Sequence, residues 1–268
     1  MAIEGPIDCK LLERRPNELN IDGVPFTPVE PLPEDETVVS MLSALWKHKE
    51  TYELQKELRA WTIYQNLRVD EDAVIRQSTV GRSESRVSGS GQNAIRVLKT
   101  LYENGCKEAI DNAMSAAFPD DYGELVFRPD RAEAVRDVRA SKVSARADSA
   151  ADLSDGTIRF LLMVAILATP DPPPLIAIDE PEAGLHPSML PLIADLAVEA
   201  SVRTQVILST HSPEMLDAFG ENLPSATVFE WTGDRTELKT IGGEELKKWT
   251  ADYSLSRFIF SGEAAAVL

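Results

Sequence analysis

The clearest hydrophobic pattern of the chain lies between residues 175 and 213. Residues 175–178 and 206–208 are two short, continuous apolar runs. Runs of this kind predict strands that are buried on both faces, as in a parallel sheet. Between them, apolar residues recur at spacings of three and four, which predicts a helix with one buried stripe: Met189, Leu192, Ile193, Leu196 and Ala200. Strand, helix and strand together predict a right-handed βαβ unit.

The rest of the chain adds helices and antiparallel pieces around this unit, so the predicted fold class is α/β. The pattern divides the chain into an N-terminal part (1–60), a helical insert (61–150) and a C-terminal part (151–268). The predicted elements are a helix over 36–59, a strand over 62–69, a polar surface loop over 75–91, a helical region over 92–118 interrupted at Gly105, a short strand over 124–127, a buried helix over 154–168 and a hairpin of 227–231 with 237–241.

Polar side chains follow both apolar runs directly: Asp179 and Glu180 after the first, and His211 after the second. Ligands of open α/β sheets bind beyond the carboxyl ends of the strands, where these three residues fall. Asp179 suits Mg²⁺, which takes oxygen ligands, and Glu180 suits a general base for water. The structural alternatives are a turn or cap residue at Asp179, a first-turn acid at Glu180 and a strand-end histidine at His211.

The buried helix begins at a short polar stretch, Ser154, Asp155 and Gly156. Ser154 can cap the helix, while Gly156 lets the backbone approach a ligand, and backbone N–H groups at such an end suit an anion. A simple N-cap in front of a core helix is the structural alternative. A metal cluster of Asp179, His186 and His211 is a further possibility for the strand ends.

Composition narrows the range of functions. The 268 residues carry a formal net charge of −17, with a pI near 4.6, which argues against general binding to nucleic acid or to a membrane surface. Two separated cysteines, no signal peptide and no membrane-length apolar run predict a cytoplasmic protein. One stretch, 128–148, has 6 basic and 4 acidic residues. A solvated face and a nucleic-acid contact both remain open for it.

Four motifs in this order resemble the second half of an ABC-type ATPase: LSDGTIRF, LIAIDE, AGLHP and STHSP. The chain looks most like AAA-family predicted ATPases related to chromosome-maintenance and recombination-repair ATPases. The resemblance implies a P-loop-type parallel-sheet core, incomplete at its N-terminus, with a helical insert and a C-terminal β-hairpin. It also implies ATP and Mg²⁺ as cofactors and these site residues: Asp179 (Walker B, metal), Glu180 (base), His211 (switch), His186 (subunit communication) and Ser154, Asp155 and Gly156 (the signature that contacts the γ-phosphate of the opposite subunit).

The Walker A loop of such ATPases, GxxxxGK[ST], does not occur in the sequence. The glycine-rich stretch 89–93 has no lysine and no Ser/Thr in register. We therefore expect an ATPase domain fragment that hydrolyses ATP to ADP and phosphate as a head-to-tail dimer closes, in DNA repair, defence or a related process. Missing sequence or a partner would supply Walker A, since a homodimer of this chain would still lack it. The alternatives are a degenerate, non-hydrolysing interaction module and a nucleic-acid-processing accessory.

Overall fold

The computed structural model describes residues 52–76, 84–127, 153–242 and Leu246 with their side chains, and the backbone of 2–4, 10–15, 18–21, 24–26 and 49–51. The chain forms two compact units, residues 1–60 and residues 61–268. The predicted division at residue 150 stays a prediction. Residues 36–48 of the predicted first helix, the basic stretch 128–148 and residues 247–268 lie outside the described part.

The described residues of the first unit form a four-stranded antiparallel meander and one helix. Its strands are β1 (Ala2–Glu4), β2 (Lys10–Arg15), β3 (Glu18–Ile21) and β4 (Val24–Phe26), paired in chain order. Helix α1 covers Lys49–Ala60, which is the described part of the helix predicted over 36–59. These four short strands thus pair locally with each other, as antiparallel strands with short connections do.

The second unit is built on a parallel sheet of three strands in the order β5 (Thr62–Tyr64), β6 (Leu175–Asp179) and β7 (Gln205–Ser209). In the register, Ile63 pairs with Ala177 and Ala177 with Ile207. The parallel βαβ unit and the later antiparallel hairpin confirm the predicted α/β class. Strand β5 ends at Tyr64, so it is shorter than the predicted strand over 62–69.

The prediction that residues 206–208 form a strand buried on both faces is wrong. Strand β7 pairs only with β6 among the described strands, and its side chains alternate between half-buried and exposed. Ile207 is 47% exposed, and Ile63 on β5 is 53% exposed on the same face of the sheet. Three consecutive apolar residues cannot distinguish burial on one face from burial on two. Strand β6, in contrast, buries Ile176 and Ile178.

The core of this unit is organised around α4 (Asp155–Leu167). Every residue from Phe160 to Leu167 is buried, as expected for a helix that is apolar on all sides. Helix α5 (Leu190–Ser201) packs against α4 and follows a 3₁₀ turn at Pro187–Met189. It forms the predicted crossover from β6 to β7. A short helix, α6 (Pro213–Asp217), follows β7.

The helical insert consists of α2 (Ala94–Leu101) and α3 (Lys107–Ala117), joined by a kink at Tyr102–Cys106, where Asn104 and Gly105 leave the helical conformation. Gly105 has a φ of +98° there, a value that favours glycine, so the predicted interruption is confirmed. Asp111 on α3 accepts hydrogen bonds from the hydroxyls of Tyr102 and Tyr122 and pairs with Lys107 at 3.0 Å. Burial raises the pKa of Asp111, but these three contacts outweigh it and hold the pKa below its ordinary value.

A hairpin of β8 (Ala226–Trp231) and β9 (Thr236–Ile241) follows α6. The predicted hairpin is therefore confirmed, and Gly233 in its turn has a φ of +104°. The strand predicted over 124–127 is wrong, since these residues follow α3 without regular structure. Leu125 is buried there, so its apolar character serves packing rather than a sheet.

Candidate functional site

The carboxyl edge of the parallel sheet brings Asp179 and Ser209 together. These residues end β6 and β7 and are paired in the strand register. The Ser209 hydroxyl donates a hydrogen bond to Asp179 Oδ1. Both side chains are exposed at this edge. Carboxylate and hydroxyl oxygens are ligands that Mg²⁺ accepts, so the donor set fits such an ion.

Glu180 has an unusual backbone conformation. Its φ is +48°, in the left-handed region that residues with a Cβ seldom adopt. Its N–H donates to Ser209 O at 3.0 Å and its carbonyl accepts from Ala183 N at 3.1 Å. The chain thus leaves β6 in a tight turn that begins at Glu180. Strained residues of this kind are concentrated at functional sites.

His211 lies beside this carboxylate. Its Nδ1 is 3.2 Å from Glu180 Oε1, and the two side chains are 80% and 49% exposed. The pair joins the residue after β6 to the second residue after β7, as the strand-end positions predicted. Because both groups are open to water, their pairing contributes little to stability. Their exposure leaves them accessible to a ligand at the sheet edge.

The stretch 154–156 forms the first turn of α4. Ser154 Oγ accepts a hydrogen bond from Thr157 N at 3.1 Å, so it is an N-cap as the structural alternative predicted. Asp155 forms an ion pair with Arg76, whose side chain is only 4% exposed. Arg76 also donates to Leu153 O at 2.6 Å. The buried guanidinium thus holds the start of α4 from the loop that follows β5.

Gly156 packs against the turn that follows β6. A Cβ at Gly156 would lie 3.2 Å from Gly184 O, closer than most real Cβ contacts. The predicted signature and the AGLHP motif, which contains Gly184, are therefore direct neighbours within one chain. A glycine is needed at position 156 for this approach of two backbones.

His186 caps the short 3₁₀ turn that follows it. Its Nδ1 accepts a hydrogen bond from Ser188 N at 3.3 Å and contacts Ser188 Oγ at 2.8 Å, so the imidazole caps the 3₁₀ turn. Across the described residues, no three acidic, histidine or cysteine side chains form a metal-binding group. The alternative of a cluster of Asp179, His186 and His211 is therefore wrong.

Sequence reasoning missed four residues that surround the site: Arg76, Arg159, Glu182 and Thr210. The Thr210 hydroxyl donates to Glu182 Oε1. Burial lowers the pKa of Arg159, while the carboxylates of Glu180 and Glu182 act in the opposite direction. A basic residue in an otherwise apolar helix was the available signal for Arg159. Arg76 gave none, because its partners at the start of α4 lie 77 and 79 residues away.

The family comparison agrees with this geometry. Residues 46–217, more than half of the chain, match the family model described as "AAA domain, putative AbiEii toxin, Type IV TA system". The chain belongs to this AAA family. Together with the fold, this confirms the predicted relation to AAA- and ABC-type ATPases. No curated protein matches the sequence.

Solved structures of SMC head domains resemble the fold. An SMC head bound to the C-winged-helix domain of ScpA has a TM-score of 0.51 at 13% identity, over 85% of this chain and 65% of that one. A second SMC head, from Pyrococcus furiosus, carries an extended coiled coil and is bound to the C-terminal domain of ScpA. It has a TM-score of 0.46 at 15% identity, over 60% of this chain and 40% of that one. A structure from work on ATP-driven dimerization of SMC ATPases has a TM-score of 0.41 at 16% identity, over 58% of this chain and 96% of that one. The chain thus spans less than two thirds of the first two heads.

Membership of the family implies ATP binding, usually with Mg²⁺. At the identities of the SMC heads, only the fold is shared. Its parallel sheet and flanking helices are those of a P-loop-type core. No helix in the described ranges is long and apolar enough to cross a membrane.

Proposed function

We propose that this AAA-family chain supplies the metal-binding, water-activating and signature parts of an ATPase that hydrolyses ATP to ADP and phosphate. The observation that carries the proposal is the meeting of Asp179, Glu180 and His211 at the carboxyl edge of a parallel sheet. The 3.2 Å contact between His211 and Glu180, together with the left-handed backbone at Glu180, supports a site rather than a chance cluster of polar residues.

Each residue has a role that fits its position. Asp179, with the Ser209 hydroxyl, holds Mg²⁺, which neutralises charge on the nucleotide phosphates. Glu180 accepts a proton from the attacking water. His211 contacts the γ-phosphate and responds to its loss. Ser154, Asp155 and Gly156 contact the γ-phosphate held by the opposite subunit, and His186 takes part in communication between subunits.

The phosphate-binding loop comes from sequence or a partner outside this chain, because GxxxxGK[ST] does not occur here. The exposed face of the sheet supports such an addition. Ile63 and Ile207 are about half exposed, on strands of a type whose two faces are normally covered. A further strand and helix carrying the loop would cover them. ATP then joins two heads, so closure of the dimer and binding of ATP are coupled.

Isothermal titration of this chain alone with Mg·ATP gives the first test. We expect weak binding or none, because the missing loop normally supplies several charge-assisted hydrogen bonds to phosphate. Micromolar affinity would contradict this expectation and would mean that another phosphate-binding loop exists in the chain.

The second test adds the segment that carries Walker A, for which the upstream coding sequence is the first place to look. In that complex, Glu180→Gln should still bind ATP, while turnover falls by roughly a hundredfold or more because the amide cannot accept the proton. Sedimentation should show more dimer in the variant with ATP. The matched control is Glu199→Gln on the exposed surface of α5. Wild-type turnover in Glu180→Gln would overturn the assignment.

A degenerate module that binds a partner without hydrolysis is the alternative, supported by the missing Walker A. It predicts that no added segment restores turnover. The process remains DNA repair, defence or a related one, and the toxin–antitoxin system named for the family fits defence. The cytoplasmic location and a nucleic-acid partner stay predictions.

A further inference from the structure

Asp155 places a negative charge at the start of α4. It is the first residue of the helix, and its side chain is 63% exposed. An acid at this position favours the helix, because the N-terminal end of a helix carries a partial positive charge. The same carboxylate repels an anionic ligand at this end, although the backbone N–H groups there suit phosphate. A first turn that receives phosphate therefore needs the charge of Asp155 to be offset.

Arg76 supplies the opposite charge from inside the protein. Its side chain is only 4% exposed, and its Nη2 forms an ion pair and a hydrogen bond with Asp155 Oδ1. The guanidinium thus lies on the protein side of Asp155, while the carboxylate is open to solvent. Arg76 is too deeply buried to contact a ligand that approaches α4 from solvent, so its effect on such a ligand passes through Asp155.

Three backbone carbonyls fix the guanidinium at this position. Arg76 Nε donates to Val69 O at 2.8 Å and to Asp70 O at 3.1 Å, and Nη1 donates to Leu153 O at 2.6 Å. Two of these acceptors follow β5, and the third directly precedes the N-cap of α4. A planar guanidinium that is bound through several of its donors keeps its charge in one place. The charge beside Asp155 is therefore present before any ligand binds.

We propose that Arg76 is a positioning residue that offsets the charge of Asp155, so that the first turn of α4 can receive the γ-phosphate of the opposite subunit. Arg76 acts through Asp155 and does not touch the nucleotide. The inference rests on the proposed function, because the phosphate contact of α4 belongs to it. The ion pair itself exists without nucleotide and is tested separately.

The main test measures ATP-driven dimerisation by sedimentation in the complex that contains the Walker A segment. Arg76→Met leaves the charge of Asp155 without its offset, so dimerisation should weaken roughly tenfold or more, the scale of one nearby unit charge. Adding Asp155→Asn removes that charge and should return dimerisation to within about threefold of wild type. If Arg76 served only to brace Leu153 and the loop after β5, the double variant would stay as weak as Arg76→Met.

Arg86 and Asp171 provide a matched control pair. Arg86 Nη2 pairs with Asp171 Oδ2 at 2.8 Å and Nε donates to Asp171 O at 2.9 Å, so this arginine also binds a carboxylate and a backbone carbonyl. Asp171 follows the other end of α4, and Arg86→Met should therefore leave dimerisation unchanged.

Two further variants separate charge from hydrogen bonding at position 76. Arg76→Lys keeps the charge and should retain most of the dimerisation. Arg76→Gln keeps a donor without the charge and should be as weak as Arg76→Met, and it replaces Arg76→Met in the test if that variant does not fold. Equal dimerisation of the lysine and glutamine variants would contradict a role of charge.

Urea unfolding of the isolated chain tests the ion pair without nucleotide. Asp155→Asn should lower the folding equilibrium constant about fivefold more in the wild-type background than in Arg76→Met, where the partner is already gone. Equal losses in the two backgrounds would mean that the two charges are not coupled, and would overturn the inference whatever the ATPase experiments give.

The inference would also be overturned by normal dimerisation of Arg76→Met, by a double variant that does not recover, or by an equal loss in Arg86→Met. Each of these results requires a wild-type complex that dimerises with ATP, so each rejects the charge offset and leaves the proposed function standing. A wild-type complex that does not dimerise with ATP would reject the proposed function, and the role of Arg76 with it.

Discussion

Glu180 combines a proposed catalytic role with a backbone conformation that costs stability. Its φ of +48° lies in the left-handed region, which disfavours residues with a Cβ by roughly 1–2 kcal/mol. Asparagine tolerates this region because its short polar side chain can hydrogen-bond locally. Glu180→Asn should therefore be more stable than a variant that keeps a long side chain without the charge.

Glu180→Gln is the variant for comparison, because it keeps a long side chain without the charge. Both variants remove the carboxylate and its contact with His211, and the side chain at this position is 49% exposed, so packing differs little between them. We expect Glu180→Asn to exceed Glu180→Gln by about 1 kcal/mol in the free energy of unfolding. For a unit of this size, that corresponds to roughly 2–4 °C in Tm.

Urea and thermal unfolding of the isolated chain measure the difference, and neither requires nucleotide. Equal unfolding free energies of the two variants would refute the argument, since relief of φ is the change that separates them. A more stable Glu180→Asn would show that the chain retains strain where it places the proposed base, as stability–activity trade-offs predict.

Five further substitutions test the fold. Asp111→Asn should lower the unfolding free energy by about 1–2 kcal/mol at neutral pH. Because the pKa of Asp111 in the folded chain lies below its ordinary value of 3.8, the carboxylate stabilises the fold above that value. In urea titrations, the difference in unfolding free energy between wild type and variant should therefore disappear as the pH falls through the folded pKa. Gly91→Ala should lower the free energy of unfolding by roughly 1–3 kcal/mol, because the added Cβ would lie 3.0 and 3.3 Å from two core leucines. Gly105 has a positive φ as well, but a Cβ there would meet no atom within 4 Å, so Gly105→Ala should lower it less. Ile176→Ala should lower the free energy of unfolding by about 2–5 kcal/mol, because Ile176 is buried, and Ile207→Ala by under about 1 kcal/mol, because Ile207 is half exposed. Similar losses in the two variants would contradict the exposure of Ile207 on β7.

The sequence predicts elements best where the hydrophobic pattern is long and unbroken. Residues 160–167 are apolar on every side, so a buried helix was the natural expectation for α4. The run at 206–208 was too short to reveal alternation, and its exposure depends on which strands and helices are neighbours. Likewise, 124–127 has strand-like composition, but burial of Leu125 satisfies it without a sheet.

The site could be predicted only in part. Strand ends and motif order brought Asp179, Glu180 and His211 together, because the carboxyl ends of parallel strands meet at one edge. The φ of Glu180 could not be predicted, since it follows from the turn that the surrounding contacts impose. The same holds for Arg76, which binds the start of α4 across most of the helical insert.

The exposed face of the parallel sheet also bears on colloidal behaviour. Strand β7 presents a backbone edge without a partner among the described strands, next to the half-exposed Ile207, and such edges are templates for pairing with another molecule. The net charge of −17 opposes this through mutual repulsion of chains. Salt screens repulsion over about 8–10 Å near physiological ionic strength but leaves apolar contact intact. Self-association of the isolated chain should therefore increase with salt, opposite to the behaviour of complexes held by charge.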